Sequence, residues 1–188
     1  MGSLVLTGNT SGSVTVAVPD VAGSNTATIG AATGTHYPFT QATAVASTSG
    51  TSIDFTGIPS WVKRITIMVQ GVSTSGTSNF LIQIGSGSVT NTGYVSTAYT
   101  TAGAASSTAG FIATQTITAA TTQTGLITLT LIGSNTWIAA ASLGFSNTSV
   151  GNTGNGQVTL SGTLDRVRIT TVNGTDTFDA GSINILYE

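Results

Sequence analysis

The side chains that could move a proton, hold a metal or attack a carbonyl are few enough to name individually. The basic set is Lys63, Arg64, Arg166 and Arg168, the acidic set is Asp20, Asp54, Asp165, Asp176, Asp179 and Glu188, His36 is the single histidine, and cysteine is absent. Asn173, Asp176 and Asp179 fall together in Val-Asn-Gly-Thr-Asp-Thr-Phe-Asp-Ala-Gly. Oxygen ligands at such spacing are what a calcium ion takes, yet the EF-hand pattern is not matched. Asn and Asp also close turns through local hydrogen bonds, and that is the plainer reading. Asp176 and Asp179 are likewise the best available pair for cleaving a glycosidic bond, which needs two carboxyls, one with a raised pKa. Six acids offer little choice for that chemistry.

The remaining candidates read as structural. Arg166 and Arg168 are two apart at a strand entry beside Asp165, so they share one sheet face. Guanidinium forks suit carboxylates, and Arg64, Arg166 or Arg168 is expected to pair with Asp54, Asp165 or Asp179 rather than with an anionic sugar or phosphate. His36, in Gly-Thr-His-Tyr-Pro, has no thiol and no nucleophile-elbow serine to activate. Trp61 follows a turn proline and Trp137 opens an apolar strand, so both are expected to pack rather than to stack on sugars. Asn9-Thr10-Ser11, Asn147-Thr148-Ser149 and Asn173-Gly174-Thr175 match the glycosylation triplet, as chance would produce in a chain this rich in Asn, Ser and Thr. No catalytic, cofactor-binding or metal-ligating residue is assigned, no cofactor is implied, and the chain is expected not to be an enzyme.

The elements that carry these residues are strands. Charged residues make up 5 % of the chain, against roughly 25 % in an ordinary soluble domain. Hydrophobic residues still reach 39 %, enough to offset the chain entropy that leaves polar tracts unfolded. Thr, Val and Ile suit a pleated surface, and no segment reads as a helix. Period-two alternation is clearest over Val62–Val72, with Ile65, Ile67 and Val69 on one face. Phe80–Ile84, Ile127–Leu131, Trp137–Phe145, Arg166–Val172 and Ser182–Tyr187 follow, with weaker runs at Gly93–Tyr99 and Phe111–Thr118. Ile53-Asp54-Phe55 leads into a proline turn, Asn173-Gly174 is a tight-turn signal, and Gly151–Gly156 reads as a turn cluster. This predicts an all-β fold, an antiparallel β-sandwich of jelly-roll type.

Residues 1–41 differ from the rest. Two short alternating segments, Ser13–Val18 and Thr26–Ile29, form an N-terminal β-strand module too small to stand alone in water, suited to attachment or oligomerisation. Residues 42–51 read as a weakly patterned linker or poor strand and residues 52–188 as the sandwich head. A Ser/Thr/Asn-coated sheet protein with a net charge of −2 lacks the usual basis of solubility. It must hide its edges and apolar patches, so a homo-oligomer is expected. Four scattered basic residues give no stripe for nucleic acid. No segment reads as a signal peptide, a myristoylation motif or a membrane span.

The run Thr51–Thr66, Thr-Ser-Ile-Asp-Phe-Thr-Gly-Ile-Pro-Ser-Trp-Val-Lys-Arg-Ile-Thr, resembles a stretch of tail-fibre-like virion proteins of tailed bacteriophages. Leu160–Thr170 and Asp176–Ile185 are similar to the same group. Leu4–Thr35 resembles a short module found ahead of phage fibre domains, with Gly30 where that module commonly has proline. The resemblance covers most of the chain and is loosest over Ser86–Thr124. It implies a location in the virion, assembled in the bacterial host cytoplasm, contact with other virion proteins, and a trimer; it implies no catalytic residue. The function expected is a short tail-fibre or tail-tip component contacting host surface glycans through the stretches Ser86–Ser107 and Ser146–Gly156. A capsid decoration or head-fibre protein is the alternative. An ice-binding protein, suggested by Thr128 and Thr130, and a polysaccharide depolymerase are weaker readings.

Overall fold

A computed structural model describes the backbone of residues 3–7 and 13–17, and residues 39–188 in full. The chain divides into two compact units, Met1–His36 and Tyr37–Glu188. In the first, β1 (Ser3–Thr7) pairs antiparallel with β2 (Ser13–Ala17), Ser3 opposite Ala17 and Thr7 opposite Ser13. The hairpin thus joins Ser13–Ala17 to the segment before it; Thr26–Ile29, expected as a strand, lies outside the described residues.

The second unit contributes β3 (Thr40–Gln41), β4 (Val45–Ala46), β5 (Ile53–Thr56), β6 (Arg64–Thr74), β7 (Phe80–Ser86), β8 (Ser88–Val89) and β9 (Val95–Thr100). It continues with β10 (Gly103–Ser107), β11 (Phe111–Ile112), β12 (Gln123–Gly133), β13 (Thr136–Phe145), β14 (Gly151–Thr159), β15 (Arg166–Thr171) and β16 (Phe178–Tyr187). The larger sheet runs β10-β9-β14-β13-β12-β6-β16-β3, with β4 also on β16; the smaller runs β11-β7-β15-β5, with β8 on β7. All pairings are antiparallel. The described residues are therefore all-β, in a sandwich-like pair of sheets. No helix among them is long and apolar enough to cross a membrane.

One core joins the sheets. Ile53, Phe55, Ile82, Ile84, Val167 and Ile169 of the smaller sheet pack with Ile65, Ile67, Ile127, Leu129, Trp137, Leu143, Val158 and Ile185 of the larger. Phe80 meets Phe178 edge-on at 5.9 Å, and Tyr94 meets Phe111 at 4.9 Å. On β5, β12, β13 and β6 as far as Val69, buried residues alternate with more exposed ones, so those pleats bury one row, whereas β7 also buries Leu81, which clusters with Ala98 and Ile112 apart from the main core. The buried Tyr94 hydroxyl accepts from the Ile84 N–H at 2.9 Å and lies within hydrogen-bond reach of the Ile84 and Thr90 carbonyls.

Pairings nest across the two sheets: β6 with β16, β7 with β15, and β9 with β14, while the hairpin β12–β13 sits between β6 and β14. Ser134 and Asn135 turn that hairpin with φ of 46° and 61°, the left-handed pair that a tight hairpin needs. Asn173-Gly174 does turn the chain, but between β15 and β16, which lie in different sheets.

One stretch takes the strand side of its reading, and two others differ from theirs. Residues 42–51 include β4 and hold to β16 through backbone: Ala42 N donates to Ile185 O at 2.9 Å and Ser47 N to Gly181 O at 3.0 Å. Gly151–Gly156 opens β14 rather than a turn cluster. Its glycines answer close approach: a Cβ at Gly154 would lie 2.7 Å from Ile112 O, and one at Gly156 2.6 Å from Val95 O. Phe111–Thr118 keeps strand geometry only over Phe111–Ile112.

Candidate functional site

The charged residues resolve into a few local networks. Asp54 and Arg168 face each other in register on β5 and β15. Arg168 Nε donates to Asp54 Oδ1 at 2.7 Å and its terminal nitrogen to Oδ2 at 3.0 Å, the two-pronged geometry of guanidinium and carboxylate. Arg166 holds its neighbour Asp165 the same way, at 2.7 and 3.2 Å. The Arg166 guanidinium, aided by the Gly87 N–H, keeps the Asp165 carboxyl below its ordinary range. Arg64 pairs with Glu188. The arginines thus meet carboxylates, Asp54 and Asp165 among the expected partners and Glu188 outside them.

Asp176 and Asp179 are occupied separately. Asp176 accepts from the Ser78 N–H at 2.9 Å and from Asn173 Nδ2 at 2.7 Å. Asn173 Oδ1 in turn accepts from the N–H of Thr175 and Asp176 at 3.1 and 3.2 Å. Asp179 accepts from the Ser73 hydroxyl. The turn thus uses Asn173 and Asp176 to close itself, and no group of three or more His, Cys, Asp or Glu is gathered among the described residues. Trp137 is 2 % exposed in the core, and Trp61, half-buried, packs its ring on Tyr187 at 5.9 Å. His36, Asp20 and Asn9 lie outside the described residues.

What the structure does bring together is the outer face of the larger sheet. Its registers line up three rows. Val95, Gln157, Ile138, Thr130 and Arg64 form the first. Thr97, Asn155, Ala140, Thr128, Thr66 and Leu186 form the second; Tyr99, Thr153, Ser142, Leu126, Met68 and Asn184 form the third. Arg64, already paired with Glu188, is the one charge in those rows. Val95 is 67 % exposed, Leu126 52 %, Tyr99 50 % and Ile138 40 %, which places four large apolar side chains in solvent on one face. Between Val95, Thr97, Ile138, Asn155 and Gln157 the face dips into an open depression of about 400 Å³.

No protein-family model matches this chain, and no match is found among curated proteins or solved structures.

Of the stretches expected to be contact loops, Ser86–Ser107 supplies β8, β9 and β10 and Ser146–Gly156 the first part of β14, and β9 and β14 lie side by side within this face. Sequence reasoning passed over Val95, Leu126 and Ile138. One signal marks them: β13 reads Thr-Trp-Ile-Ala-Ala-Ala-Ser-Leu-Gly-Phe, with Trp137, Ala139, Ala141, Leu143 and Phe145 inward and Ile138 and Ala140 outward. A strand apolar on both faces is the pattern of a strand covered on both faces. Chemically, the face offers neutral hydrogen bonds and apolar contact, and no titratable group within the depression.

Proposed function

We propose that this chain is a non-enzymatic structural protein of a bacteriophage virion, a short tail-fibre or tail-tip component that works in several copies, three being the number favoured. The observation that carries the reading is the nearly charge-free outer face of the larger sheet, which suits stacking and sticking rather than proton transfer. Two further features support it. The segments resembling phage fibre proteins fold side by side, β5 against β15 and β6 against β16. The nested pairing of β6/β16, β7/β15 and β9/β14 is compatible with a hairpin wrapped into a jelly roll, with β12–β13 as an addition. Contact with host surface glycans would then rest on avidity: several copies engage a repetitive surface, each weakly.

Gold-labelled antibody against the chain, imaged on intact virions by electron microscopy, tests the assignment. Label at the tail end is the expected result. Label spread over the capsid lattice would replace it with the capsid-decoration alternative, and virions without label would remove both.

A further inference from the structure

We infer that the outer face of the larger sheet is the surface by which one copy of this chain packs against another. The inference rests on the multi-copy reading above and names the partner and the place. Three observations converge on a second copy.

The first is charge. The outer face of the smaller sheet carries Asp54, Arg166 and Arg168 in or beside its ion pairs. The three rows of the larger sheet present Arg64 alone, already paired, and the exposed Asp179 of β16, held by the Ser73 hydroxyl, lies beyond them. A nucleic acid, an acidic glycan or a strongly charged protein would find nothing there to complement it. A neutral face complements a neutral face, and two copies can meet without like-charge repulsion. The second is the double-sided apolar pattern of β13, whose Ile138 and Ala140 point away from the core. The third is area. Five strands about 4.8 Å apart, rising about 3.4 Å per residue over the nine residues of β14, present about 700 Å². A standard interface takes roughly 800 Å² from each partner.

Cysteine is absent from the chain, so a single introduced thiol reports only its own surroundings. Ala140→Cys places it mid-face on the larger sheet and Thr56→Cys on the exposed outer side of the smaller one. Each full-length variant is labelled with a maleimide, its rate divided by that of the same variant in denaturant, and its mass read by light scattering. In the oligomer the thiol at 140 is expected to react at least about tenfold more slowly than the thiol at 56, as for a group shielded by an interface core. Equal rates in an oligomer would overturn the face while leaving the multi-copy reading standing. Equal rates in a monomer would remove both. Slow labelling at 140 in a monomer, or only after dextran is added, would also overturn the inference, the latter assigning the face to neutral carbohydrate.

Discussion

The outward faces of the two sheets are built on opposite principles. On the smaller sheet, Arg168 grips Asp54 across β15 and β5, and Arg166 grips Asp165 at the strand entry. Charge keeps that face in water and gives any partner a fixed pattern to match. On the larger sheet, Val95, Tyr99, Leu126 and Ile138 stand in solvent among Thr, Ser and Asn. The contrast teaches that scarcity of charge is not uniform here. Apart from Asp179 near the start of β16, the few ion pairs of the described residues leave the three rows of that face free of unpaired charge, and a contiguous apolar patch of that kind marks an interaction surface.

Substitutions on neighbouring residues sharpen the contrast most. Trp137 and Ile138 are consecutive on β13 but point to opposite faces. Trp137→Ala should cost about 4 kcal/mol in urea unfolding, because it opens a cavity between the sheets. Ile138→Ala, measured in a monomeric background, should cost under about 1 kcal/mol. Comparable losses would mean that Ile138 is part of the core and that the outer face has been misjudged.

An alkaline titration gives the next largest effect and probes the seam that both faces share. Burial pushes the Tyr94 phenol up to about 12 from an ordinary 10.0. The unfolded chain ionises this group first, so its contribution is complete below pH 10 and is lost as pH rises from 10 through 12. About 2 kcal/mol of stability should disappear over that window, seen as falling urea midpoints, and Tyr94→Phe should remove this component. A flat profile in the wild-type chain would show that the hydroxyl is solvated.

Smaller effects belong to the charged face. Arg168→Met should cost no more than about 1 kcal/mol, since the pair is more than a third exposed, and less still in high salt. The least change is expected from Asp165→Asn. Arg166 lowers the Asp165 pKa from 3.8, so its contribution holds above that value and is lost as pH falls through the depressed one. Urea midpoints of wild type and variant should converge under acid. A large loss from either substitution at neutral pH would mean that the smaller sheet depends on its charges for folding.

Much of the fold was legible because the inner rows are made of large branched residues. Ile65, Ile67 and Val69, and Val167 and Ile169, alternate cleanly, Phe80, Ile82 and Ile84 recur every second residue around a buried Leu81, and each run is a strand. The strands that escaped are those whose residues answer backbone rather than side-chain demands. β14 reads as a turn because Gly154 and Gly156 make room for neighbouring chain, and β4 reads only as a linker or poor strand because its bonds to β16 are main-chain. The candidate surface was hidden for a related reason. Val95, Thr97, Asn155, Gln157 and Ile138 come from three strands, and only the register of β9, β14 and β13 sets them together. Asn173 and Asp176 were legible as turn formers, and they bond to each other at 2.7 Å.

The most direct test is the solution mass of the full chain by light scattering at tens of micromolar, beside Ile138→Glu and Thr56→Glu. The account predicts a multimer for the wild-type chain and for Thr56→Glu, and a folded monomer for Ile138→Glu, with near-ultraviolet circular dichroism unchanged. A monomeric wild-type chain, or an Ile138→Glu variant that keeps the full multimeric mass, would contradict it.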